Sequence, residues 1–180
     1  EYAVSLAQHL AQYADVLLVV SAPNLKAELG EQFILPPHPQ LKVIQLPHDR
    51  SVKLLFKNAA QLIRLVYAFQ PDIIHAQEEP KDYQALASWV FRRYPFILTV
   101  HDPRPHSGSD AKSRRWWSRR AFYIWYQRRI ANAAIVHGHF LQTELEKSAP
   151  WLVNKVVSIP HGPLGLLQQK KTQQVILGQF

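Results

Sequence analysis

The sequence predicts an α/β fold with a mostly parallel sheet. Short apolar runs rich in Val, Ile and Leu recur along the 180 residues, with amphipathic stretches of helical spacing between them. Several runs stop at a histidine or an acid, as strand tips do at the carboxyl edge of an open parallel sheet. No window approaches 18 continuous apolar residues.

Residues 1–14 place Ala3, Leu6, Ala7, Leu10, Ala11 and Ala14 at helical spacing. A strand over Val16–Val20 follows, closed by Ser21-Ala22-Pro23-Asn24, and 25–40 are mixed and broken by prolines. Leu41–Leu46 is a second strand that ends at Pro47-His48. Ser51 is placed to cap a long helix over 52–69, which Pro71 ends. A short strand over 72–75 leads to Gln77, Glu78 and Glu79. A helix over 82–93 is then expected to bury Ala85, Leu86, Trp89 and Val90. Phe96–Val100, bounded by Pro95 and Pro103, reads as a buried strand, and 112–131 as a basic, aromatic helix or helix pair. Strands over 134–137 and 155–159 flank a short helix that Pro150 closes. A glutamine-rich linker is expected over 163–174, and a new strand begins at 175–180. Right-handed crossovers then bring the carboxyl ends of all six main strands to one rim.

Cysteine is absent, which removes disulfide frameworks, thiol nucleophiles and zinc ribbons. There is no Gly-x-Gly-x-x-Gly, Walker or Gly-x-Ser-x-Gly sequence, so the familiar phosphate cradles and the serine-hydrolase elbow are missing. A formal charge of +8 favours an anionic partner: a phosphorylated substrate, lipid headgroups or nucleic acid. The chain opens in mid-pattern, so an earlier segment is expected before Glu1.

Of nine histidines, five fall at or near predicted strand ends: His48, His75, His101, His137 and His161. With Asp102, Glu78, Glu79 and His106 they would crowd one crevice, where imidazoles can donate, accept or shuttle protons. Strand-end histidines also simply cap sheet edges. His101 stands apart because Asp102 follows it and a Pro/Gly loop comes next. No two histidines have the i, i+4 spacing of a helical zinc site, and no metal is expected.

Between residues 111 and 130 there are seven Lys or Arg residues and no acid, interleaved with Trp, Tyr and Phe. Arg114, Arg115, Trp116, Trp117, Arg119 and Arg120 are candidates for a contact with an anionic membrane surface. Stacking on single-stranded nucleic acid is the less favoured partner. An ordinary helix with its aromatic face on the sheet and its arginines in water is the third reading.

Five motifs occur in one order: Glu1-Tyr2-Ala3 with Leu6, Ala7 and Leu10; Pro71-Asp72-Ile73-Ile74-His75-Ala76; Thr99-Val100-His101-Asp102; Ala131–Gly138; and Ile159-Pro160-His161-Gly162. In that order they resemble the retaining family-4 glycosyltransferases, enzymes of GT-B fold with two facing Rossmann-like domains. The resemblance implies a three-layer, Rossmann-like, acceptor-binding N-terminal domain over 1–162, with the first strand and its glycine-rich loop missing. The linker and the first strand of a donor-binding domain would follow. It implies sugar transfer from a nucleotide-diphosphate sugar to a saccharide or lipid-linked acceptor, with retained configuration and no cofactor. The donor would be held mainly by the other domain, so this chain is not expected to turn over by itself. By resemblance His101 would contact the transferred sugar or acceptor, Asp102 would orient its loop, and Gly162 would allow close backbone approach, so His101 and Asp102 are the catalytic candidates. Together with Gly162, the residues at the strand ends, His75, Glu78, His106, His137, Gly138 and His161, are the candidates for binding acceptor or substrate. A cytoplasmic location, peripheral on the inner face of a membrane, goes with that reading. Its rivals are a GT-B nucleotide-sugar epimerase and a non-catalytic basic module that binds membrane or nucleic acid.

Overall fold

A computed structural model describes residues 2–30, 37–47, 51–78, 82–104 and 119–160, without the side chains of 28, 29, 82, 119 and 120. The expected linker over 163–174 and the strand over 175–180 lie outside them, as does His48. The described chain forms two compact units, one from residues before Leu46 and one spanning Leu46–Pro160.

In the first unit, α1 (Tyr2–Leu10) buries Val4 and Ala7 and packs against β1 (Val16–Ser21). The helical spacing that runs to residue 14 ends as hydrogen-bonded turns, with Ala14 N–H still donating to Leu10 O at 3.0 Å. Where the prolines suggested irregular chain, α2 (Ala22–Leu29) starts directly after β1. Pro23 lies in its first turn, where a missing N–H costs nothing. Gly30 closes it at φ 86°, a conformation strained for any side chain. β2 (Leu41–Leu46) pairs with β1.

The second unit opens on α3 (Val52–Phe69), whose bounds match the apolar periodicity. Ser51 Oγ accepts the Leu54 N–H at 3.3 Å. Gln70 turns left-handed (φ 51°) to end the helix ahead of Pro71. Then come β3 (Ile74–Gln77), α4 (Asp82–Phe91), β4 (Phe96–Thr99), α5 (Arg119–Ile130), β5 (Ala133–Val136), α6 (His139–Ser148), a 3-10 turn (Pro150–Leu152) and β6 (Val156–Ser158). β3 to β6 form a four-stranded parallel sheet in chain order. Right-handed crossovers carry α4, α5 and α6 over one face of such a sheet, and α4 packs on both α3 and α5. Phe96 and Leu98 on one face of β4 and Thr99 on the other are all fully buried. These layers are the Rossmann-like α/β fold.

Two expectations are corrected. Among the described residues the strands pair as two sheets and not one, so the rim described below is that of the four-stranded sheet. Apolar runs reveal strands, but not which strand each one bonds. On α4, Leu86 and Trp89 are 38% and 52% exposed, while Ala85, Ala87, Ser88, Val90 and Phe91 are buried. The helix packs on two neighbours, and that rotates its buried arc away from Trp89. Arg92 and Arg93 lie over the Trp89 ring instead, at 4.9 and 5.5 Å.

Asn132 sets the register of the sheet. Its N–H donates to Phe96 O at 2.8 Å, and its Oδ1 accepts the Phe96 N–H at 2.8 Å. One residue thus satisfies both backbone groups of the first β4 residue and starts β5 level with it. We predict that Asn132→Ala costs about 1–3 kcal/mol, the penalty of an orphaned buried N–H. Asn132→Asp, which keeps the acceptor, should retain most of that stability. Urea midpoints of the three proteins measure this, and an unshifted Ala midpoint would refute it.

Candidate active site

The polar tips of β3 to β6 gather where the strands end. Each end bonds to the next: Glu78 N–H to Thr99 O (2.8 Å), Val100 N–H to Ile135 O (2.8 Å) and Ile159 N–H to Val136 O (2.8 Å). His101 follows β4 and His137 follows β5, so their rings meet, with centroids 5.2 Å apart and planes inclined by 32°. His101 Nε2–H donates to Gln77 Oε1 at 2.8 Å, from a side chain that is exposed. His137 Nδ1–H donates to the Ile159 carbonyl at 2.9 Å. Because both partners are oxygen acceptors, the nitrogen that meets each one carries a proton: Nε2 in His101 and Nδ1 in His137.

The loop after His101 is fastened. Asp102 Oδ1 accepts the Arg104 N–H at 3.2 Å, which closes a local turn. Arg104 Nε pairs with Glu144 Oε2 on α6. Lys147 Nζ reaches the other oxygen of the same carboxylate at 3.4 Å. Gly138 stands between β5 and α6, and a Cβ built there meets nothing within 4 Å.

One expected rim residue sits elsewhere, and another is engaged in an ion pair. The chain spends Pro71–Ile73 leaving α3, and pairing starts only where Ile74 N–H reaches Pro95 O at 2.9 Å. His75 is therefore the second residue of β3 and not its tip, and its Nε2 lies 2.7 Å from Thr99 Oγ1. Glu78 reaches the rim, but its side chain is only 6% exposed and is bound on both oxygens by Arg128 (Nε–Oε1 2.6 Å, Nη2–Oε2 2.8 Å). His106, His161 and Gly162 lie outside the described residues. So do Arg114, Arg115, Trp116 and Trp117, and the side chains of Arg119 and Arg120.

Gln77, Thr99 and Arg128 are site residues that sequence reasoning passed over. Gln77 follows His75 at the two-residue spacing of one strand face, a usable signal. Arg128 had none: it reads like Arg129 beside it, yet it is buried while Arg129 is exposed. Among the described residues no group of three or more metal-ligating side chains could hold an ion. No described helix is long and apolar enough to cross a membrane.

A parallel α/β sheet with a polar, imidazole-bearing carboxyl rim defines a substrate-binding domain of Rossmann type. The model of Glycosyltransferase Family 4 matches residues 1–162, and the chain belongs to that family. It is thus a glycosyltransferase domain, whose substrates are a sugar donor and an acceptor. No curated protein matches it.

Burial lowers the pKa of His75 from its ordinary 6.5, because the half-buried ring is penalised when charged. The unfolded chain therefore takes up this proton at higher pH than the folded one. The contribution to stability is complete above about pH 6.5 and is lost as pH falls below it. We predict that the denaturant midpoint drops between about pH 7.5 and pH 5, and that His75→Gln flattens the drop. Parallel pH profiles of the two proteins would exclude this titration.

Proposed function

We propose that this chain is the acceptor-side half of a GT-B enzyme that transfers a sugar from a nucleotide-diphosphate sugar with retention of configuration. The observation that supports it best is the His101–His137 pair, on the rim of a domain within the stretch 1–162 that the family model matches. The donor's diphosphate would be held by a second domain that faces this rim, and the reading assigns no resident cofactor or metal to the chain.

As the diphosphate leaves, positive charge builds on the sugar ring, and groups that help most are those whose interaction strengthens at that moment. His101 is suited to this. Its ring is exposed at the rim and hydrogen-bonded through Nε2 to Gln77 Oε1, a placement suited to a polar contact with the transferred sugar or the acceptor. Asp102 turns the loop that presents it, and Gln77 holds its Nε2. His137 and Gly138 line the neighbouring position, where open space beside the first turn of α6 leaves room for substrate. His75 holds Thr99 from within the sheet and contributes to the rim indirectly.

The partner surface belongs to α5. Phe122 and Trp125 are 57% and 47% exposed, with ring centroids 5.8 Å apart, and Phe122 stacks on Tyr126 at 6.3 Å. Arg129 is exposed one turn beyond Trp125. Phe122 and Trp125 thus keep about half of their surface open to solvent. Exposed aromatics within a segment free of acids suit the headgroup level of an anionic membrane, where a lipid-linked acceptor would be found.

We predict that His101→Ala in the complete enzyme lowers kcat/KM about 10²-fold or more, the usual weight of a positioned polar group. An unchanged kcat/KM would remove His101 from the mechanism, and conversion of free nucleotide-sugar without acceptor would favour an epimerase. For the surface, co-sedimentation with phosphatidylserine-containing vesicles should fall sharply in Phe122→Ser/Trp125→Ser. Equal pelleting of variant and parent would retire the membrane contact.

A further inference from the structure

The geometry of the buried ion pair between Glu78 and Arg128 gives it a task at the rim. The two side chains are 6% and 9% exposed, come from positions 50 apart in sequence, and meet through both carboxylate oxygens. Arg128 has donors to spare. Its Nη1 reaches Pro103 O and Ser148 Oγ, each at 3.4 Å, and its own carbonyl accepts the Trp151 indole N–H at 3.0 Å. The guanidinium therefore ties the end of β3, the loop after β4 and the end of α6 to α5, and the backbone carbonyl adds the 3-10 turn. Pro103 is buried and only two residues past His101. The far side of the same loop is held by Arg104 on the buried Glu144.

A buried pair such as this adds little net stability, because desolvation offsets most of the attraction. What it supplies is direction: a planar fork bonded to both oxygens of a fixed carboxylate has one pose. We infer that Arg128, locked by Glu78, is a positioning residue that holds the loop 101–104 through the Pro103 carbonyl and thereby sets the pose of the His101 imidazole over Gln77 and His137. Its importance for catalysis rests on the role of His101 proposed above. The clamp itself does not.

The test uses the full chain and reads the imidazole directly. In long-range ¹H–¹⁵N spectra the parent should show His101 as a single Nε2–H tautomer and His137 as Nδ1–H. Arg128→Lys keeps the charge but loses the fork, and should turn His101 into the tautomer mixture of an unrestrained ring while His137 stays Nδ1–H. Glu78→Gln, which keeps shape and one acceptor, should shift His101 in the same direction to a smaller extent, and serves if Arg128→Lys does not fold. A lower melting temperature with an unaltered His101 spectrum in both variants would overturn the assignment and leave a merely structural pair. In the complete enzyme, Arg128→Lys should lower kcat by about 10- to 100-fold with little change in KM, the cost of a misplaced reacting group. If the His101 spectrum changes but His101→Ala itself leaves turnover intact, the clamp stands and the catalytic reading fails.

Discussion

Three backbone hydrogen bonds, Glu78 to Thr99, Val100 to Ile135 and Ile159 to Val136, hold the ends of four parallel strands level. Everything of chemical interest in the described chain follows from that levelling. A parallel ladder permits no slippage by one residue without turning every side chain to the other face. With Phe96, Leu98 and Val136 fully buried, such a slip would expose the core. The hydrophobic demand of the strand interiors thereby dictates where the polar tips fall. His101 and His137 meet because Thr99 is in register with Ile135, and each histidine lies just beyond its strand.

The rim is then tuned by polar groups. Gln77 and the Ile159 carbonyl engage different nitrogens of neighbouring imidazoles, Nε2 of His101 and Nδ1 of His137, and so fix how each ring is turned. Beneath them, two carboxylates of low exposure, Glu78 and Glu144, are each met by an arginine. Both arginines bear on the loop that follows His101, one through the Pro103 carbonyl and one through Arg104 itself. Charge is buried here beside an exposed imidazole, an arrangement that favours a defined loop over a merely stable one.

The acidic pairing also changes the meaning of the basic segment. Read as a string, residues 111–130 are uniformly cationic and aromatic. Folded, α5 divides them: Arg128 turns inward to the site, while Phe122, Trp125 and Arg129 face outward. A single helix can in this way carry an internal anchor for the rim and an external surface for a partner, because side chains three and four apart share a face and intermediate ones do not.

The primary structure by itself determined the α/β class, the bounds of α3, the capping by Ser51 and the approximate place of every strand, because these rest on local periodicity and on proline and serine chemistry. It also contained the ordered motifs of Glycosyltransferase Family 4, and with them His101, since a histidine that ends a bounded apolar run is visible one residue at a time. Only the tertiary structure decided that β3 begins at Ile74, that His75 lies inside the strand, that Trp89 is exposed, and that Glu78 is held by Arg128. The bounds of β3 depend on a bond to Pro95, the face of α4 on two packed neighbours, and the ion pair on a contact across 50 positions. Such long-range partners leave no mark in local spacing. Which of several similar arginines is buried is settled only by what the rest of the chain folds against it.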